Sequence, residues 1–225
     1  ENDRVVVPYS AFLPTEVFTV STWVRTQGAA RRKAIVARGE DAITGNAAWN
    51  LYMEPSGNFA LRIEDINDAD YSYPSGAHIA DNKWHHLVAT RNASGRVALY
   101  ADGQLVASFA SSGIPSSANH QDLTFGCTHG TFGPPSPTNP VKPLWFFPGR
   151  IDSPSIWNIS LSPAQIQALY TGGVDPLAAG LVGFWRMNEG RGNIVGDSSS
   201  SGTDGYRGAQ PKADSADPKW VIAPR

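Results

Sequence analysis

The sequence predicts an all-β protein, a two-sheet antiparallel jelly-roll sandwich with one short helix near residues 163–171. Three observations carry this. Residues 84–109 read as three successive antiparallel strands joined by tight turns. Further short alternating segments recur at similar spacing along the 225 residues, separated by clusters of Gly, Pro, Ser and Asn. Helix period and helix end signals coincide in a single stretch.

The central meander sets the frame. From Trp84 to Asn92 the residues Trp84, His86, Val88 and Thr90 share one face, and His85, Leu87, Ala89 and Arg91 the other. That two-residue period belongs to a half-buried strand. Asn92-Ala93-Ser94-Gly95 supplies turn chemistry. Val97, Leu99 and Ala101 then alternate against Arg96, Ala98 and Tyr100. Asp102-Gly103 tolerates positive φ at both central positions of a hairpin turn, and Leu105–Phe109 returns.

The remaining elements follow in chain order. Arg4–Pro8 is a short β-rich run. Phe18–Arg25 places Phe18, Val20, Thr22 and Val24 on one face and Thr19, Ser21, Trp23 and Arg25 on the other. Ala34–Ala37 is a strand closed by Arg38-Gly39, and Trp49–Met53 pairs with Phe59–Ile63 around Glu54–Asn58. Residues 64–70 form an acidic loop followed by Tyr71-Ser72-Tyr73-Pro74. Leu123–Gly126 is a further strand. Cys127–Phe147 reads as a long loop, of the kind that often carries function. Phe147–Asp152 and Ser155–Trp157 form a strand interrupted at Pro154, which cannot donate to a ladder and implies a bulge or an edge. Ser162, Pro163 and Gln165 compose a capping box at a helix start, and Gly172 stops that helix. Leu181–Met187 and Lys219–Ile222 complete the strand set.

Composition excludes some classes of function. The formal net charge is −2, with both signs interspersed, so no basic patch for nucleic acid or anionic membrane is expected. One cysteine, Cys127, leaves no internal disulfide and no cysteine-based zinc set. No apolar run approaches a membrane span, and no signal peptide is present. The abrupt start at Glu1 suggests a processed protein or an excised domain.

Several motifs together resemble the laminin-G-like (LamG-type) jelly rolls of the concanavalin A-like lectin/glucanase superfamily. They are Phe18–Val24, Ile35–Gly39, Trp84–Thr90, Leu99–Gly103, Gly149–Asp152 and Ile156–Ser162, in the family's order across most of Val5–Gly173. Leu181–Trp185 with Asn188–Gly192 and Asp197–Ser199 also looks like a family motif, one that usually precedes the first strand. It either closes the sandwich in permuted order or begins a second repeat. Too few residues follow Gly173 for another sandwich, so the expectation is one domain over 1–225. Residues 1–173 form its main body, and 174–225 complete it by pairing Leu181–Met187 with the N-terminal strands.

The resemblance implies sugar binding on the concave sheet or its rim loops, and a structural calcium ion. Asp152 matches a family position that often ligates calcium, and Asp3 sits near the usual N-terminal partner. Calcium wants six to eight oxygens, so carbonyls and water would supply most of them. Sugars present C–H faces that pack on flat rings and hydroxyls that need polar partners. The candidate carbohydrate-binding residues are Tyr52, Arg62, Glu64, Tyr71, Tyr73, Arg91, His120 and Trp145, with His129 a comparable loop histidine. Trp23, Trp84, Trp157 and Trp185 fall in strand motifs and read as mainly core. Trp49 and Tyr52 cannot share a face. Likewise His85 and His86 point to opposite faces and cannot chelate together.

Glycoside hydrolysis needs two carboxylates across the scissile bond. The paired-carboxylate strand of the family's glucanases and the Arg/Tyr/Lys strands of the lyases on this fold are absent. The expected function is therefore a non-catalytic carbohydrate-binding module or lectin-like domain. It would bind a polysaccharide as part of an extracellular or cell-surface, bacterial protein, either attached to a larger carbohydrate-active enzyme or repeated on a surface. A protein-interaction or adhesion domain is the alternative, and a lyase or hydrolase a third.

Overall fold

In the computed structural model the described residues are 3–9, 13–14, 16–41, 47–65, 69–111, 115, 122–130, 142–208, 212 and 217–221. In chain order they form β1 (Val5–Val7), β2 (Phe18–Thr26), β3 (Lys33–Asp41), β4 (Ala47–Met53), β5 (Asn58–Glu64) and β6 (Asp70–His78). Next come β7 (Trp84–Arg91), β8 (Arg96–Ala101), β9 (Gln104–Ala110), β10 (Leu123–Phe125), β11 (Thr128–Gly130) and β12 (Lys142–Leu144). Last are β13 (Gly149–Trp157), the helix α1 (Pro163–Gly172), β14 (Leu181–Phe184), β15 (Ile194–Val195) and β16 (Gly205–Arg207).

Two sheets result. The larger runs β15-β16-β1-β10-β3-β4-β5-β6, with β11 and β12 attached beside β3. The smaller runs β14-β13-β2-β7-β8-β9. This is the predicted antiparallel sandwich, with β11 and β3 pairing in parallel. Alternate residues meet between the sheets: Phe18, Val20, Leu87, Leu99 and Ile156 from one side, Leu51, Phe59, Leu61 and Phe125 from the other, all buried. Phe18 stacks on Trp49 across the gap, ring centroids 5.1 Å apart. Asp102 and Gly103 take φ of 50° and 79°, the positive values the hairpin turn requires.

The helix lies on the outer face of the smaller sheet. Its start is the predicted capping box: the Ser162 hydroxyl accepts the Gln165 N–H and the Gln165 side chain accepts the Ser162 N–H. Ile166 and Leu169 pack with Val88, Trp157 and Phe184 into a second apolar cluster.

Four expectations change. Leu181–Phe184 pairs with β13 at the edge of the smaller sheet rather than with the N-terminal strands, and β1 instead takes β16. The cause is Trp185, whose ring is fully buried against Phe125 and whose N–H donates to the Thr203 carbonyl. Gly183 makes room for it, since a Cβ there would stand 2.3 Å from the indole. Tyr71–Pro74 is not loop but part of β6, an edge strand, where a proline is tolerated. The stretch Cys127–Phe147 contains the β11–β12 pair. The expected strand at 219–222 is absent among the described residues, where Trp220 donates its N–H to the Gly192 carbonyl.

The interruption at Pro154 appears as a bulge between Asp152 and Ser155. Ser153 there has φ 50°, and the Pro154 carbonyl accepts the Trp185 N–H.

Candidate functional site

The face proposed from the sequence is the outer face of the larger sheet. Register puts Ala37, Asn50, Arg62 and Ser72 in one row across β3, β4, β5 and β6. Tyr52 lies on this face, as alternation with Trp49 requires, yet it is fully buried. The Arg32 guanidinium stands 4.5 Å over its ring and 5.3 Å from the ring of Trp145. Trp145 is thereby folded back over the sheet, and its carbonyl accepts the Ala34 N–H. The Tyr52 hydroxyl is 2.6 Å from Ser72 Oγ. Arg62 and Glu64 are buried too; one Arg62 nitrogen reaches Asp70 at 2.7 Å and Glu64 at 3.4 Å. These groups hold one another and do not stand open to a ligand.

Tyr71 and Tyr73 also differ from expectation. Paired with Ile63 and Leu61, they turn toward the core. Tyr73 is buried against Phe109 and donates to Ser111 Oγ at 2.6 Å, and burial raises its phenol pKa. Tyr71 is half-buried and donates to Asp65. Arg91 is buried and donates to the Glu16 carbonyl at 2.5 Å. His129 is half-buried, with burial lowering its pKa. His120 lies outside the described residues.

For calcium, the expected positions are Asp152 and Asp3. The Asp152 carbonyl accepts the Thr22 hydroxyl at 3.3 Å and its carboxylate accepts the Ser153 hydroxyl at 3.1 Å. Asp3 is exposed. Among the described residues no group of three or more His, Cys, Asp or Glu gathers, so a calcium ion there would draw most of its oxygens from carbonyls and water.

The opposite side of the molecule offers a better arrangement. On the outer face of the smaller sheet, register aligns three rows across β13, β2 and β7. They are Arg150–Arg25–Trp84, then Asp152–Trp23–His86, then Ser155–Ser21–Val88. Helix α1 covers the third row. From the first two, Arg150, Trp84, Asp152, Trp23 and His86 line a cavity of about 690 Å³, within the range of roughly 300–1,000 Å³ common for small-molecule sites. Gly172 at the end of the helix with Gly173 and Val174 beyond it, Met187 and Asn188 after β14, and Trp220–Val221 add to the lining.

Three indoles face this cavity. Trp23, Trp84 and Trp220 are each half-buried, while Trp157 and Trp185 are buried. Reading all four strand tryptophans as core was therefore correct for two of them. The error has a cause: alternation gives the face but not which face is solvated. Trp23 is fixed by stacking on Tyr170 of the helix, centroids 5.7 Å apart, and His86 packs against both rings, 5.1 Å from Trp23 and 6.0 Å from Tyr170. His86 Nε2 and Ser21 Oγ are 2.8 Å apart, both groups buried. Arg150, Arg186 and Asn188 are exposed and Asp152 half-buried. Ser153 and Met187, both lining residues, have φ of 50° and 55°. Positive φ is uncommon outside glycine, and such backbone gathers at functional sites.

The arrangement offers flat apolar rings beside fixed polar groups. As for cleavage, Asp152 is the one carboxylate among the described lining residues, and the Ser21 hydroxyl is too deeply buried to meet a substrate.

Comparison with known proteins places the fold. Among solved structures, a protein described as carbohydrate-binding from Bacteroides ovatus superposes with a TM-score of 0.66 at 15% identity. The match covers 90% of this chain and 55% of that one, so the chain spans about half its length. The CBM40 domain of the Ruminococcus gnavus IT-sialidase gives 0.57 at 14% identity, over 70% of this chain and 84% of that one. The binding domain of Paraclostridial Mosquitocidal Protein 1 gives 0.55 at 18%, over 76% and 41%. No curated protein matches the sequence. The family model Laminin_G_3 matches residues 1–167. By that match over most of its length, borne on the two-sheet sandwich described above, the chain belongs to the concanavalin A-like lectin/glucanases superfamily.

Proposed function

We propose that this chain is a non-catalytic carbohydrate-binding module whose glycan site is the indole-lined cavity on the helix-bearing face of the smaller sheet. The observation that carries the proposal is the joint exposure of Trp23, Trp84 and Trp220 beside Arg150, Asp152 and Asn188 in one cavity. Sugar C–H faces pack on the rings, and hydroxyls pair with the polar groups. The neighbours support the reading by their descriptions: one is described as carbohydrate-binding, and the CBM40 domain was also determined bound to α2,3-sialyllactose.

An aromatic contact contributes about 0.5–1.5 kcal/mol and a hydrogen bond to a charged group about 1.5–3 kcal/mol. Two or three of these, set against ordering costs, give affinities on the order of millimolar to micromolar. Placement in a larger secreted protein would raise avidity.

Affinity electrophoresis against a polysaccharide panel, with and without a calcium chelator, tests this. Retardation without release of reducing or unsaturated ends is expected, lost in W23A and W84A while the circular dichroism spectrum is kept. Retardation unchanged in both folded variants would remove the cavity from the account. Product release would convert the module into a lyase or hydrolase. The adhesion alternative has one observation in its favour, the edge strand β9 with Leu105 57% and Val106 36% exposed. It gains if no glycan retards the protein.

A further inference from the structure

We infer that the cavity selects an anionic saccharide, one bearing carboxylate or sulfate, over its neutral counterpart. This rests on the cavity being the glycan site.

The charge around the cavity is lopsided. Its charged lining side chains are Arg150, Arg186 and Asp152. Arg150 sits directly opposite Arg25 in the β13–β2 register, on the same face. Like charges directly opposite on neighbouring strands destabilise a sheet. Among the described residues no acid relieves the pair: Arg25 donates from Nε to the neutral Asn82 side chain at 3.1 Å, and Arg150 makes no ion pair. The arrangement is unfavourable for the empty fold, and an anion at the Arg150 guanidinium, which lines the cavity beside the rings, relieves it.

Arg186 is set up in the same way from the neighbouring strand end. Its guanidinium lies 5.1 Å over the Phe184 ring, and its Nε donates to Ser198 Oγ at 3.2 Å. Both contacts are with neutral groups, so the charge is oriented without being neutralised. A guanidinium held flat presents paired N–H donors that match carboxylate or sulfate oxygens. Asp152, the opposing charge, already accepts the Ser153 hydroxyl. It stands one row away from Arg150, beside Trp23 and His86, where a neutral hydroxyl of the same sugar would meet it.

The test is a set of matched oligosaccharides read by isothermal titration. Uronate-, sialate- and sulfate-bearing members are each paired with the methyl-esterified or desulfated form of the same skeleton. The variants are R150Q and R186Q, both at exposed positions, with R150K as the charge-keeping control. Melting temperatures confirm that each is folded. At least one acidic member should bind about tenfold or more tighter than its neutral partner, and weaken between 50 and 500 mM salt as expected for an exposed charge contact. R150Q and R186Q should each weaken it roughly ten- to a hundredfold, with R150K between wild type and R150Q. Which arm binds separates carboxylate from sulfate. Equal, salt-insensitive binding of neutral and acidic members overturns the inference and leaves the module standing. Acid preference untouched by both glutamine variants overturns it as well, by placing the anion elsewhere. Binding of neither class removes the inference and the module together.

Discussion

Arg62→Ala separates the two roles that Arg62 could play. In the structure the guanidinium is 7% exposed, 2.7 Å from Asp70 and 3.4 Å from Glu64, itself 3% exposed. Removing one partner of a buried ion pair costs about 3–5 kcal/mol, because the remaining charge loses its compensation. The Asp70 side chain is 57% exposed and can return to water, so the penalty falls on Glu64 and the lower figure, about 3 kcal/mol, applies. For a chain of this size each kcal/mol moves the melting temperature by about 2–4 °C, giving a drop of about 6–12 °C. Urea unfolding followed by tryptophan fluorescence, with thermal melting by circular dichroism, measures it. R62M/E64L, which removes both buried charges, should recover most of the loss. A melting temperature within about 2 °C of wild type, coupled to lost glycan binding, would refute the reasoning and return Arg62 to the ligand site.

Two other outcomes follow from the structure. His85 lies between Asp102 Oδ2 at 2.9 Å from Nδ1 and Asp81 Oδ1 at 3.0 Å from Nε2. Burial opposes its charge, but the bonds to Asp102 and Asp81 prevail and raise its pKa. Its charged-state contribution is therefore full below the unfolded pKa of about 6.5 and fades as pH rises through the higher folded value. Asp81 is held down to about 2, chiefly by the Lys83 N–H and also by His85, so its share persists until strongly acid pH. The melting-temperature gap between wild type and H85Q should be larger at pH 5.5 than at pH 9; a gap that widens with pH contradicts the assignment. Cys127 is buried and its thiol is pushed up to about 12 by burial, so it should resist a thiol reagent at pH 8 and react once on unfolding. Rapid labelling of the native protein would contradict its placement.

Much of the fold was legible in local pattern. The Trp84–Phe109 meander, the Asp102-Gly103 turn and the Ser162–Gln165 cap depend on neighbours in sequence, and all three formed as read. The Asp70–His78 strand was not legible because Pro74 and Gly76 mask its period, and only the edge position makes it tolerable. Pairing of Leu181–Phe184 depended on where Trp185 could be buried, a long-range matter. The candidate site was less legible. Alternation set Tyr52 opposite Trp49 and Arg62 opposite Leu61, but it could not say that Trp23 and His86 lie on the outer face of their sheet. Which outer face stays open is decided by what crosses it: Arg32 and Trp145 over one, a ten-residue helix that stops short over the other. No local signal in Trp220 announced that it would reach the mouth of a cavity floored by residues near 23, 84 and 150.

The stretch recognised as shared with the superfamily ends at residue 167, whereas Gly172–Val174, Met187, Asn188 and Trp220 all lie past it. On the proposed reading, the rim of the glycan site is therefore supplied by residues beyond the stretch matched to the superfamily. Grafting residues 168–221 between members of the superfamily would be the direct route to exchanging their preferences.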